Sequence, residues 1–339
     1  MSNIFQQLKK LQKAELAAYS PGLNSIKGLL VLLVILSHAL PLSLILFVIF
    51  FFHMPLFLSI SGFLVKKSAF DNGIFPYLKK LVNRAIIPWL IAFVVYIPFS
   101  FYHRSFTTFS VYDIIYPYFH LWYVPAYILG AFLCFWVIKF KIPTFIVLLF
   151  TAAITVVWFL IYRDPKLPIS ELPVYFLGEK RFYSYLLFFF IGFAMRNQLL
   201  KIRPNALILL FLIGLSFVAI VGIIFKGSAY FDFFVLPYLV LNISLILFTI
   251  IYTSSQNWTQ NKFILFLNNQ SLGLYLYHPM FVFMAYEYLE DPKMNQTDNL
   301  TGLIIFFITV ALTSLLVWLF TQFEITNKYV LGNAKKMSA

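Results

Sequence analysis

The sequence predicts an all-α integral membrane protein, a bundle of about ten transmembrane helices with the N-terminus and the C-terminus both cytoplasmic. Three observations predict it. Of 339 residues, 62% are hydrophobic and only 11% charged, whereas a soluble domain carries roughly a quarter charged residues. Apolar runs recur from Ile26 to Phe323 with only short polar breaks, which leaves no stretch of ordinary composition for a separate soluble catalytic domain. Finally, Lys and Arg gather in alternate breaks, as the positive-inside rule requires of a multi-pass chain.

A spanning helix needs about 20 apolar residues, and the breaks divide the chain into candidate spans near 23–40, 44–65, 84–102, 119–138, 142–162, 181–198, 205–225, 234–252, 263–285 and 302–323. Helices are expected although several spans are rich in Phe and Tyr. Transmembrane strands would alternate polar and apolar residues, and these runs are apolar all round. With the N-terminus inside, the cytoplasmic segments hold Lys9, Lys10, Lys13 and Lys27, then Lys66, Lys67, Lys79, Lys80 and Arg84, then Lys139 and Lys141. Arg196, Lys201, Arg203, Lys262, Lys328, Lys335 and Lys336 complete the inner set. The outer loops keep most of the acidic residues. The net charge of +13 is therefore a topology signal, and nucleic acid is not expected as a partner, whereas membrane lipids are.

Residues 1–22 form the cytoplasmic N-terminal segment, in which Ile4, Phe5, Leu8, Leu11 and Leu16 recur among Gln and Lys at the spacing of an amphipathic helix on the inner leaflet. The first apolar run is too long for a signal-peptide core and has no small-residue cleavage site after it, so it is read as a retained span. An ionisable side chain inside a span is costly unless it faces a cavity or a partner, which makes each one a functional candidate. In the first span Lys27 and His38 are eleven positions apart, about three turns plus 20°, so both lie on one helix face roughly 16 Å apart along the axis. Lys27 then sits at the cytoplasmic boundary and His38 beyond the midplane. Gly28 permits close approach of a backbone or a ligand. This geometry suits an activated substrate whose anionic part stays inside while its reactive end reaches outward, with His38 placed to take a proton as a general base. A neutral His38 hydrogen-bonded to another helix is the alternative.

The second span carries His53 and Pro55, then Ser61-Gly62, where a helix can pack closely or a ligand approach. Lys79, Lys80 and Arg84 precede or open the third span. They could hold the phosphates of a nucleotide-bearing substrate, although Lys79 and Lys80 fit headgroup anchoring better. His103 and His120 flank an outer loop and are expected to be solvated, with Leu121-Trp122-Tyr123 as part of an aromatic rim. The single cysteine, Cys134, lies in an apolar run, which excludes a disulfide framework and a thiolate metal site. In the ninth span Ser271, Tyr275 and His278 form a polar stripe on one face that must look into the protein, lining a cavity or joining helices. After the membrane domain at 23–325, residues 326–339 form a cytoplasmic tail. No phosphate-loop motif, no metal-ligand constellation and no Ser-His-Asp set can be assembled, and no internal repeat of the transporter kind is visible.

Taken together, these residues resemble the integral-membrane acyltransferase 3 family, which includes surface-polysaccharide O-acetyltransferases. The likeness covers most of the chain. It rests on Lys27 and His38, on Phe52-His53-Met54-Pro55-Leu56-Phe57 leading to Ser61-Gly62-Phe63, and on Arg84 before Ile87-Pro88. Leu121-Trp122-Tyr123-Val124-Pro125 and Ser271-Leu272-Gly273-Leu274-Tyr275-Leu276-Tyr277-His278-Pro279 complete it, all in the expected order. The resemblance implies a ten-helix enzyme that takes an acyl group, usually acetyl, from cytoplasmic acyl-coenzyme A and delivers it to a sugar hydroxyl at or beyond the outer face. His38 matches the family's essential histidine. Lys27 stands where many members have arginine, and Arg84 matches the second basic residue of an Arg-x-Arg pattern whose first position here is Val82.

The expected mechanism has His38 as the catalytic residue, either as base or as transient acyl carrier. Lys27 and Arg84 bind the coenzyme A phosphates, and His53, Ser61, Tyr275 and His278 line the path or stabilise the oxyanion. Acetyl-coenzyme A, or another acyl-coenzyme A, is a donor substrate rather than a resident cofactor, and the acceptor is a lipid-linked or surface glycan. A polysaccharide exporter or flippase without acyltransfer activity is the rival class, and a non-enzymatic membrane subunit with packing histidines is another.

Overall fold

The computed structural model describes residues 21–41, 44–104, 112–118, 120–161, 177–197, 208–209, 211–214, 235–254, 261–289 and 299–333. Every regular element among them is helical. In chain order these are α1 (Pro21–Ala39), α2 (Leu44–Phe63), α3 (Ile74–Leu81), α4 (Ile87–Arg104), α5 (Tyr112–Ile115), α6 (Tyr123–Lys139), α7 (Thr144–Ile161), α8 (Arg181–Ser184) and α9 (Leu186–Arg196). The last five are α10 (Val235–Ser254), α11 (Lys262–Asn269), α12 (Ser271–Leu289), α13 (Asn299–Gln322) and α14 (Glu324–Tyr329). Three stretches are long and apolar enough to cross a membrane, Pro21–Ala39, Ile74–Phe99 and Asn299–Gln322, and Val48–Phe63, Tyr123–Lys139, Thr144–Trp158 and Tyr238–Thr253 are shorter apolar helices.

Among the described residues helices stand where the apolar runs predict them, with differences at polar or aromatic junctions. The third run is entered earlier, because a π-helical turn at Val82–Ile86 carries α3 into α4. Tyr185 separates α8 from α9, and Gln270 separates α11 from α12. The expected amphipathic helix of the first twenty residues and most of the run at 205–225 lie outside the described residues.

The chain folds as two compact units. The first comprises Met1–Asn24, Met54–Asp71 and Ala126–Thr259, and the second Ser25–His53, Asn72–Pro125 and Gln260–Ala339. In the first unit α9 is the central element. Every residue from Leu186 to Met195 is buried, which is what a helix apolar on all sides requires. It packs against α7 and α10 and crosses the second half of α2 backbone to backbone. A Cβ on Gly62 would fall 2.0 Å from the Phe189 carbonyl oxygen, and one on Gly192 would fall 1.8 Å from that of Ser59. Such paired glycines are how membrane helices gain contact without large side chains. Asn197 finishes α9 by donating to the Val65 and Phe193 carbonyls while its Oδ1 accepts from the Lys67 amide.

In the second unit α12 packs on α13, with Ala39, Val282, Ala285 and Ile305 forming a small core with the end of α1. The buried face of α13 is Gly302, Ile305, Thr309, Thr313 and Val317, spaced by three or four residues. Its opposite face exposes Phe307, Leu312, Leu315, Trp318 and Leu319. Small and hydroxyl-bearing residues inside with large apolar residues outside is the pattern of a helix solvated by lipid. Asn261 caps α11, its side chain accepting from the Ile264 amide at 2.8 Å. At Gly332, φ is +69° and a Cβ would fall 2.3 Å from the Arg84 carbonyl oxygen, so only glycine lets the segment after α14 lie on the π-helical turn.

Candidate active site

His38 occupies the last turn of α1 and is exposed. The helix end that carries it is gripped from two sides. Tyr286 of α12 donates its hydroxyl to the Ala39 carbonyl at 2.8 Å, and Gly302 of α13 brings its backbone so close that a Cβ would lie 2.7 Å from the same oxygen. The end of α1 is therefore located by one tyrosine hydroxyl and one close backbone contact.

Two further histidines converge on His38. The His278 ring of α12 has its centroid 5.2 Å away and that of His120 lies 6.1 Å away. His120 and His278 are themselves 4.8 Å apart. His278 is fully buried, and its Nδ1 meets the Leu274 and Tyr275 carbonyls of its own helix at 3.1 and 2.9 Å.

His120 overturns the expectation of a solvated loop residue, since it is buried at 3% exposure. The turn that holds it is tied down by donors from elsewhere in the sequence. Tyr275 donates its hydroxyl to the His120 carbonyl, and the Trp89 indole donates to that of Leu121 at 2.8 Å. Tyr275 and Tyr96 set their rings edge-on to the His120 imidazole, at 4.7 and 6.0 Å. The Tyr96 hydroxyl donates to Leu276 at 2.9 Å, joining α4 to α12. The signal available in the sequence was the Leu121-Trp122-Tyr123 stretch after His120.

The basic pair stands at the other end of α1. Lys27 is half-buried and Arg84 exposed, and they are near enough for their charges to repel. Arg84 sits in the π-helical turn, a rare one-residue widening of a helix that recurs at functional sites. Beside Lys27, Gly28 admits a backbone rather than a ligand. A Cβ there would touch Leu267 Cβ at 3.2 Å and the Ile264 carbonyl at 3.4 Å, so α11 lies against the first helix.

The remaining candidates divide. Tyr275 is part of the histidine cluster. His53 is buried, its Nδ1 held 2.6 Å from the Ile49 carbonyl of its own helix and its ring 5.5 Å from Phe50. Ser61 donates to the Phe57 carbonyl of its own helix at 2.9 Å, next to the glycine of the α2–α9 crossing. Ser271 is buried at the start of α12. His103 lies in the last turn of α4. Among the described residues no group of three His, Cys, Asp or Glu side chains could hold a metal ion.

An exposed imidazole backed by two buried ones, with Lys27 three turns away along the same helix and Arg84 beside that lysine, can move a proton beside an anionic substrate. The family model described as an acyltransferase domain matches residues 20–320. The chain belongs to the acyltransferase 3 family. No curated protein and no solved structure matches it. Membership makes the chain an acyltransferase, with an acyl donor and an acceptor as its substrates. The matched residues contain the whole histidine cluster and the basic pair, so the acyltransferase fold includes every group described above.

Proposed function

We propose that this acyltransferase is a ten-span protein of the plasma or inner membrane with both termini cytoplasmic. It moves an acetyl group from cytoplasmic acetyl-coenzyme A to a hydroxyl of a cell-surface or lipid-linked glycan. The observation that carries the reading is His38. It is the exposed member of the histidine cluster, and it shares helix α1 with Lys27, beside which Arg84 adds a second cation. The cations bind the phosphates of the donor at the inner end, Lys27 as a point charge and Arg84 through its planar fork. The pantetheine arm then runs along α1 and brings the thioester to His38.

His38 removes the proton from the acceptor hydroxyl as the oxygen attacks the thioester carbonyl carbon. The C–S bond breaks, and the departing thiolate takes the proton from the imidazolium. The transient positive charge lies at the C-terminal end of α1, where the helix dipole favours it.

The test is transfer of isotope-labelled acetyl from acetyl-coenzyme A to glycans in membranes of the source cell, at matched expression. Wild type should incorporate label and His38→Ala should lose it by a factor of about 10² to 10⁴, the usual contribution of a general base. Lys27→Ala should raise the KM for the donor more than it lowers kcat. Absence of incorporation by wild type with acetyl and longer acyl donors would remove the reading and favour an exporter.

A further inference from the structure

The reaction as written gives His278 no task, although it is the most completely buried member of the cluster. Both groups facing its Nδ1 are backbone carbonyls, which only accept, so Nδ1 carries a proton. A second proton on Nε2 would make a buried cation inside the protein with no counter-charge in the cluster, which is costly at membrane depth. His278 is thus the neutral Nδ1–H tautomer, and its Nε2 presents a lone pair. That Nε2 is buried and has no hydrogen-bond partner among the described residues. An acceptor in that position is expensive to leave unused.

Two imidazoles lie beside the His278 ring, and they differ in kind. His120 is buried and its turn is fixed by Tyr275 and Trp89, whereas His38 is exposed. Substrate therefore meets His38, with His278 standing behind it at a ring separation of 5.2 Å and a tilt of 45°. That is close to the spacing of two imidazoles joined by one N–H···N hydrogen bond of about 2.9 Å. Catalytic hydrogen bonds in ligand-free sites are often misaligned and tighten only when substrate binds.

We infer that His278 is a positioning residue for His38, its Nε2 accepting a hydrogen bond from one N–H of His38 and so leaving the other His38 nitrogen bare toward the acceptor hydroxyl. This rests on the acyltransfer reading above. When the hydroxyl proton reaches the bare nitrogen, His38 becomes an imidazolium whose second N–H still points at His278. His278 gains and loses no proton. The proton leaves on the coenzyme A thiolate, so the cluster returns to its starting tautomers after each turnover.

The experiment compares full-length wild type, His278→Phe, His278→Gln and His120→Phe with labelled acetyl-coenzyme A in membranes of the source cell. Phe keeps a ring of similar size without an acceptor, and Gln can place an amide oxygen near the lost Nε2. His278→Phe should lower kcat about 100-fold with the KM for acetyl-coenzyme A within about twofold, and His278→Gln should regain about tenfold of the loss. His120→Phe should lower kcat by less than His278→Phe does.

Near-wild-type turnover in His278→Phe overturns the inference while leaving the acyltransfer reading intact. Equal losses in the Phe and Gln variants would reduce His278 to packing, and an equal loss in His120→Phe and His278→Phe would make His120 the donor to Nε2. If wild type transfers no label, both readings fall together. Should His278→Phe fail to accumulate, the nitrogen shifts of histidine-labelled wild type decide. The Nδ1–H tautomer at His278 supports the inference, and the reverse tautomer overturns it.

Discussion

Tyr275 shows how a single hydroxyl sets the site. It is the donor that holds the His120 carbonyl, it is 1% exposed, and its own carbonyl is one of the two that face His278 Nδ1. Tyr275→Phe leaves that carbonyl and the ring in place but removes the side-chain donor from the turn carbonyl, which still meets the Tyr123 amide at 3.4 Å, a loss of about 0.5–1.5 kcal/mol. Transfer activity should fall several-fold while the protein still accumulates in membranes, as fluorescence-detected gel filtration would show. His53 makes the opposite case. Because its Nδ1 is satisfied by the carbonyl of its own helix, His53→Ala should lower thermal stability by about 1–3 kcal/mol and leave turnover per folded molecule within about threefold. A loss of turnover as large as that of His38→Ala would move His53 into the reaction.

Among the elements, the crossing of α2 and α9 is the least tolerant of change. Gly62→Ala and Gly192→Ala place a methyl group about where the facing backbone already stands, 2.0 and 1.8 Å from a carbonyl oxygen. Each should cost about 3 kcal/mol or more and sharply reduce accumulation. Gly73→Ala is the matched control. Its φ is +86° but nothing lies within 4 Å, so only the backbone strain of about 1–3 kcal/mol applies. At the end of α14, Gly332→Val combines a positive φ with a clash against the Arg84 carbonyl. It should disturb the π-helical turn and raise the KM for acetyl-coenzyme A, which steady-state kinetics at varied donor would detect. An unchanged KM would separate the turn from donor binding.

For the whole molecule, the topology is directly measurable. In a Cys134→Ser background, single cysteines at Ser68 and Gln256 should react with a membrane-impermeant maleimide only after the inner face is opened, and those at Asp164 and Asn295 in intact cells. Labelling of Asp164 from the inner face alone would break the ten-span scheme at its middle. Lipid-facing substitutions on α13, such as Phe307→Leu, should be nearly silent, since that face is already exposed and lipid solvates either side chain.

Much of this was written in the local sequence. Apolar runs of the right length fix helices because a backbone in lipid must satisfy its own hydrogen bonds, and the eleven-residue interval between Lys27 and His38 places both on one helix face without reference to any other element. The polar stripe of Ser271, Tyr275 and His278 was legible for the same reason. His120 was not. Its neighbours read as a loop, and what ties its turn down are distant donors, Tyr275, 155 positions from His120, and Trp89, 32 positions from Leu121. Nor could the sequence assign Gly28 to helix packing or Ser61 to its own helix, because both depend on which backbone arrives opposite. Periodicity and composition act over a few turns, and they determined the all-helical class and the helix face that Lys27 and His38 share. The cluster around that histidine is a set of long-range hydrogen bonds and backbone approaches, and only the tertiary structure decided it.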